Sequence, residues 1–189
     1  MAMKIRPALA VAAVLLCTPL LAAPRAAMKA PPQNGAPKNG FRAEFLHDLD
    51  DVSKKIVELA EAMPAAKYNW RPAQGVRSVS EVYMHIAGGN YFLATFAGAK
   101  PPSYDTRNLE KISDKARVID ELKKSFEYLR MVATTGGDAD LEKPIKMFGY
   151  DTTHRGALMT ALNHLHEHLG QSIAYARMNG VVPPWSARE

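Results

Sequence analysis

Six histidines stand in this chain, and three of them fall within five positions, in Asn163-His164-Leu165-His166-Glu167-His168. On a helix, residues four apart share a face with Cβ atoms about 5–6 Å apart, so His164 and His168 form a two-point clamp for one metal ion. Imidazole nitrogen binds zinc-class ions at about 2.0–2.1 Å. His166 lies two residues from each and points to another face, as a surface residue would. The pair flanks Leu165 and Leu169, at the edge of a buried stripe. A further histidine, His85, stands beside Val82 and Ile86 in an earlier amphipathic segment. Three imidazoles facing one interior without a partner would be costly to bury, whereas as metal ligands they are accounted for. A three-histidine site also leaves a fourth position for water or substrate.

Other patterns around this cluster carry less. His164 to His168 fits the His-x-x-Glu-His arrangement of inverted zinc peptidases, in which the glutamate is the general base. Those enzymes take a later acidic ligand, and only Glu189 follows Glu167 here. Glu167, next to His168, also points off the clamp face. Gln171 and Tyr175, three and seven residues after His168, are placed to pack against or hydrogen-bond to the site. His47 falls off the buried stripe of its helix, and His154 stands where a cap or surface role suffices.

Four long amphipathic segments must position these residues. The first spans about 41–63, with Phe45, Leu49, Val52, Ile56, Leu59 and Met63 stepping by three or four until Pro64 stops it. The second opens on Ser78-Val79-Ser80-Glu81, a capping box, and runs to about residue 97 with Val79, Val82, Ile86 and Leu93 inward. Gly88-Gly89 interrupts it, each glycine costing about 1 kcal/mol against alanine, which suits close approach of a helix or ligand. The third, capped by Ser113, carries Ala116, Ile119, Leu122, Phe126, Leu129 and Val132 on one face and ends at Gly136-Gly137. The fourth runs from about 153 to 178 with Leu158, Leu162, Leu165, Leu169 and Ile173 inward. Asn179-Gly180 stops it and Pro183-Pro184 forbids continuation. No strand pattern stands out between them. Trp70 and Trp185 are expected to plug the ends. The class is all-α, a four-helix bundle over residues 41–185.

The chain ahead of the bundle differs in kind. Residues 1–23 combine a basic start (Lys4, Arg6) with an apolar run closing on Leu21-Ala22-Ala23, the form of a signal peptide. Residues 24–40, rich in Pro, Gly, Ala and Lys, read as a flexible linker. Export to the periplasm or medium follows, with no stable membrane association after cleavage. Cys17, the only cysteine, lies in the signal, so the mature chain has no disulfide or thiolate chemistry. The net charge of +5 also belongs to this tail: from Glu44 onward 18 basic residues face 19 acidic ones. Nucleic acid is thereby excluded as the expected partner.

Taken in order, Arg77-Ser78-Val79-Ser80-Glu81, His85-Ile86-Ala87, Asn163-His164 with His168-Leu169-Gly170-Gln171, and Arg177-Met178-Asn179-Gly180 with Pro183-Pro184 resemble the DinB-like family. The resemblance spans residues 41–185 and implies an up-down-down-up bundle with a long crossover. It also implies a divalent metal on one histidine of helix two and two of helix four, which here are His85, His164 and His168. Members include thiol-dependent transferases and isomerases, hydrolases, and proteins without known activity. Two readings follow. One is an exported metal-dependent hydrolase or transferase acting on a small molecule, with zinc or nickel as the ion. The other is a non-catalytic metal or small-ligand binding module whose metal is structural, closed by Gln171 or His47. A homodimer is compatible with either and specified by neither.

Overall fold

The computed structural model describes residues 37–186. The expected signal peptide, and the linker up to residue 36, lie outside the described residues. Within them the chain forms α1 (Gly40–Ala62), α2 (Val79–Phe96), α3 (Lys115–Thr134), a single turn α4 (Asp138–Leu141), a hairpin of β1 (Pro144–Met147) and β2 (Tyr150–Thr153), and α5 (His154–Met178). The four long helices are those expected, the fourth being α5. α1 begins at Gly40, one residue inside the expected linker.

Their ends follow from local chemistry. Ser78 and Glu81 complete the capping box of α2: Glu81 N–H donates to Ser78 Oγ at 3.3 Å and Ser78 N–H to Glu81 Oε2 at 2.6 Å. At the end of α5, Val181 N–H reaches Ala176 O at 2.9 Å and Gly180 N–H reaches Arg177 O at 3.0 Å. With Gly180 at φ +73°, this is a complete Schellman stop. For α3 the cap is Asp114, which accepts from Arg117 N–H, and not Ser113. Starting at Lys115 turns Ala116 to solvent and puts Val118 in the core, with Ile119 only half-buried.

Side-chain ties fix the directions of the helices. Arg42 near the start of α1 donates to Ala133 O in the last turn of α3 and to Gly137 O just past it. Lys115 at the start of α3 donates to Glu61 O and Met63 O at the end of α1. These two helices are therefore antiparallel. Asn90 donates to Ser125 Oγ at 3.0 Å, and further along α3 Tyr128 OH donates to Lys100 O, just past the end of α2, so α2 and α3 run parallel. Tyr175 donates to Arg77 O before α2, and the His154 ring lies against Gly98 after it, so α5 opposes α2. The order is up-down-down-up, with residues 97–114 as the long crossover. Each of α1 and α2 packs chiefly on α3 and α5.

The apolar stripes of α1, α2 and α5 meet in one core that includes Phe45, Leu49, Ile56, Ile86 and Leu165. Trp70 packs edge-on against Tyr175 at 5.4 Å, and both tryptophans are half-buried against this core. The hairpin corrects the expectation of no strands. Pro144 pairs with Thr153 and Met147 with Tyr150, leaving Phe148-Gly149 as a two-residue turn. Both turn residues have positive φ, +50° and +87°, as a type I′ turn requires. Among the described residues no helix is long and apolar enough to cross a membrane.

Candidate metal centre

His85 is donated by α2, and His164 and His168 come from successive turns of the facing α5. The three imidazoles converge: their potential ligand nitrogens all lie within 4.8 Å of one another. The rings sit at centroid separations of 5.1 Å (His85–His164), 4.7 Å (His85–His168) and 4.4 Å (His164–His168). His168 is buried and the other two are half-buried.

Hydrogen bonds select the tautomers. Glu110, on the crossover, holds Oε1 3.2 Å from His85 Nδ1 and Oε2 3.0 Å from Arg77 Nε. An ionised carboxylate can only accept, so the His85 proton resides on Nδ1 and Nε2 keeps its lone pair. Gln171 Oε1 lies 2.8 Å from His168 Nδ1, which likewise leaves His168 Nε2 free. The chain continues from Gln171 Nε2 to Tyr175 OH at 3.2 Å, and from Tyr175 OH to Arg77 O at 3.1 Å. Arg77 thus anchors both outer partners, one through its guanidinium and one through its carbonyl. Such partners orient ligand imidazoles and raise their basicity.

His164 has no such support. Its Nε2 lies 3.2 Å from His85 Nε2, and its buried Nδ1 has no hydrogen-bond partner among the described residues. If the His164 proton is on Nδ1, that N–H is buried unpaired and two lone pairs confront each other at Nε2. If it is on Nε2, the Nδ1 lone pair is stranded. Either tautomer leaves a buried polar atom unsatisfied, which costs about 1–3 kcal/mol. A cation between the rings removes the lone-pair conflict at Nε2, because two nitrogens at about 2.05 Å from a tetrahedral ion stand about 3.3 Å apart, and it leaves the Nδ1 N–H as the one group still unpaired. Burial also pushes the His164 imidazole down to about 4, with further lowering from His168, His85 and Arg77. The same forces, burial first, lower His85 against the opposing pull of Glu110. Both are neutral at pH 7, the form in which imidazole can ligate.

The second glycine of the pair, Gly89, explains how His164 reaches this position. A Cβ at Gly89 would stand 2.4 Å from His164 Cε1, so the ring lies directly on the α2 backbone. Of the remaining sequence candidates, Gln171 and Tyr175 join the site as hydrogen-bonding partners. His47 does not: it is exposed on α1, 3.2 Å from Asp48, and cannot close the cluster. His166 and Glu167 face solvent, which removes the peptidase arrangement. Glu110 was not legible as a site residue. It sits in a non-periodic crossover 25 residues from His85, and only the fold brings it there.

An open cleft of about 430 Å³ adjoins the cluster, lined by His85, Gly88, Gly89 and Phe92 of α2 and by residues 106–111.

Residues 48–172 match the DinB superfamily, a stretch that contains all three histidines and about two thirds of the chain. The chain belongs to the DinB superfamily. Among solved structures, this DinB chain is similar to a DinB-like protein from Bacillus cereus ATCC 10987. The two share 20% identity and superpose with a TM-score of 0.67, over 74% of this chain and 93% of that one. At that identity the likeness speaks for the fold alone. No curated protein matches the sequence.

Proposed function

We propose that this protein is an exported metal-dependent enzyme, a hydrolase or transferase of a small molecule, with one zinc or nickel ion held by His85, His164 and His168. The observation that carries the reading is His164: half-buried and neutral, with its Nε2 turned to the Nε2 of His85 at 3.2 Å and no proton arrangement that satisfies both rings. An ion bound there would supply Lewis acidity to a substrate oxygen and lower the pKa of water.

The chain's own residues set the rest. Glu110 and Gln171 hold two ligand rings in fixed tautomers, and Gly89 admits the third. A structural ion would need a fourth protein ligand. Gln171 spends both ends of its amide on His168 and Tyr175, and Glu110 spends both oxygens on His85 and Arg77. Among the described residues no fourth histidine, cysteine or carboxylate joins the cluster. A free coordination position beside an open cleft favours catalysis over a closed structural site.

Elemental analysis of the protein purified without a histidine tag tests this directly. The wild type should carry close to one zinc or nickel per chain after incubation with either ion. His85→Ala and His168→Ala should each lose it while keeping their helical circular dichroism. Retention of one equally tight metal in both variants would sink the three-histidine assignment.

A further inference from the structure

Gly88 has no reason of packing to be glycine. It lies in the interior of α2, where glycine is the poorest residue after proline. A Cβ built there meets nothing within 4 Å among the described residues, in contrast to its neighbour Gly89. The space it would enter is the 430 Å³ cleft. His85, Gly88, Gly89 and Phe92 follow one another at helical spacing and form its floor.

The far end of that floor is aromatic. Phe92 and Phe148 are 53% and 62% exposed, although both are large and apolar. With Phe96 they form a cluster, at ring separations of 5.2 Å (Phe92–Phe96), 6.2 Å (Phe92–Phe148) and 5.7 Å (Phe96–Phe148). Phe148 occupies a turn position at φ +50° that Asn, Asp or Gly would fill with less strain. A strained, exposed phenylalanine is thus held against Phe92, at the edge of the cleft. The cleft is also lined by Arg107, paired with Asp105, and by Lys111, which forms no ion pair among the described residues.

We infer that this cleft is a substrate pocket for a small amphipathic anion, whose aryl body lies over Gly88 against Phe92 and Phe148 and whose oxygen end points to the histidine cluster. The oxygen end rests on the metal reading above; the aryl end does not. Size agrees, since a cavity of roughly 150 Å³ accepts benzene, leaving room here for a ring and a short acid chain. Glycine at position 88 then serves the bound state, keeping the floor flat where the ring lies.

The test is a titration of the ¹⁵N-labelled protein, metal-free and zinc-incubated, with benzyl alcohol, 3-phenylpropionate and propionate. Both aromatic probes should shift the Gly88, Gly89 and Phe148 amides saturably, and 3-phenylpropionate should bind at least tenfold tighter than propionate. Gly88→Leu, which fills the floor, should weaken both aromatic probes at least tenfold. Phe148→Ala should weaken them at least threefold, and neither change should alter zinc stoichiometry. If zinc does not bind but benzyl alcohol still shifts these amides, the metal reading falls and the aryl pocket stands. The inference is overturned if the aromatic probes shift nothing there, or if Gly88→Leu leaves their binding unchanged. A dimer that Phe148→Ser dissolves would also overturn it, by assigning the aromatic face to a second copy of the chain.

Discussion

At the scale of single residues, the molecule has been built around imidazoles kept neutral. His164 has a folded value of about 4, lowered by burial and by its neighbours, whereas an unfolded histidine titrates near 6.5. Between those values the unfolded chain binds more protons than the folded one, so stability rises with pH. The His164 contribution is therefore complete above about pH 6.5 and is lost as pH falls toward 4. His85, lowered in the same direction, adds to the effect. Urea unfolding of metal-stripped protein should show a midpoint clearly lower at pH 4.5 than at pH 7.5, with a shallower dependence in His164→Gln. Equal pH dependence in the two proteins would mean that acid acts elsewhere, through carboxylates such as Glu81, which is held low chiefly by the Ser78 backbone N–H.

At the scale of elements, two helices in contact decide what one glycine does. Alanine is the better helix residue by about 1 kcal/mol, so propensity alone predicts that Gly89→Ala stabilises α2. Its methyl group would stand 2.4 Å from His164 Cε1, and the ring must move. Chelator competition should show zinc affinity reduced at least tenfold in Gly89→Ala, with helical content retained. Unchanged affinity would show that His164 is not held where the α2 backbone admits it.

The element scale also shows what a linear sequence makes legible. The stripes of α1, α2 and α5 and the pairing of His164 with His168 follow from a period of 3.6, and the fold keeps them. In α3 the expected stripe holds at Leu122, Phe126, Leu129 and Val132 but not in the first turn, where Ala116 is exposed, Ile119 is half-buried and Val118 enters the core. The hairpin was hidden because each strand is four residues long and its turn uses Phe148 in place of a turn former. Glu110 was hidden for a different reason: a crossover has no period to read, and its place is fixed by tertiary contacts.

At the scale of the whole molecule, the parallel pairing of α2 and α3 is what creates the site's outer wall. Two adjacent parallel helices need a connection that returns along the bundle, and residues 97–114 make that return past His85. The return path is pinned to the bundle. Tyr104 OH donates to buried Glu121, which also accepts from Tyr91 OH at 3.0 Å, and burial pushes the Tyr104 hydroxyl up to about 12. Leu109 is buried, and next to it Glu110 reaches His85. Loosening the first point should be felt at the last. Tyr104→Phe leaves Glu121 satisfied by Tyr91, so the loss in global stability should stay within about 0.5–1.5 kcal/mol. Amide exchange over residues 101–111 should nevertheless accelerate, and zinc affinity should fall several-fold as Glu110 loses its fixed position. Faster exchange with unchanged affinity would mean that His85 is oriented without Glu110, and unchanged exchange would mean that buried Leu109 and the bond from Tyr128 to Lys100 O anchor the crossover without Tyr104. The prediction joins the two ends of the chain of causes: helix order imposes a crossover, the crossover carries a carboxylate, and the carboxylate fixes the tautomer of a ligand.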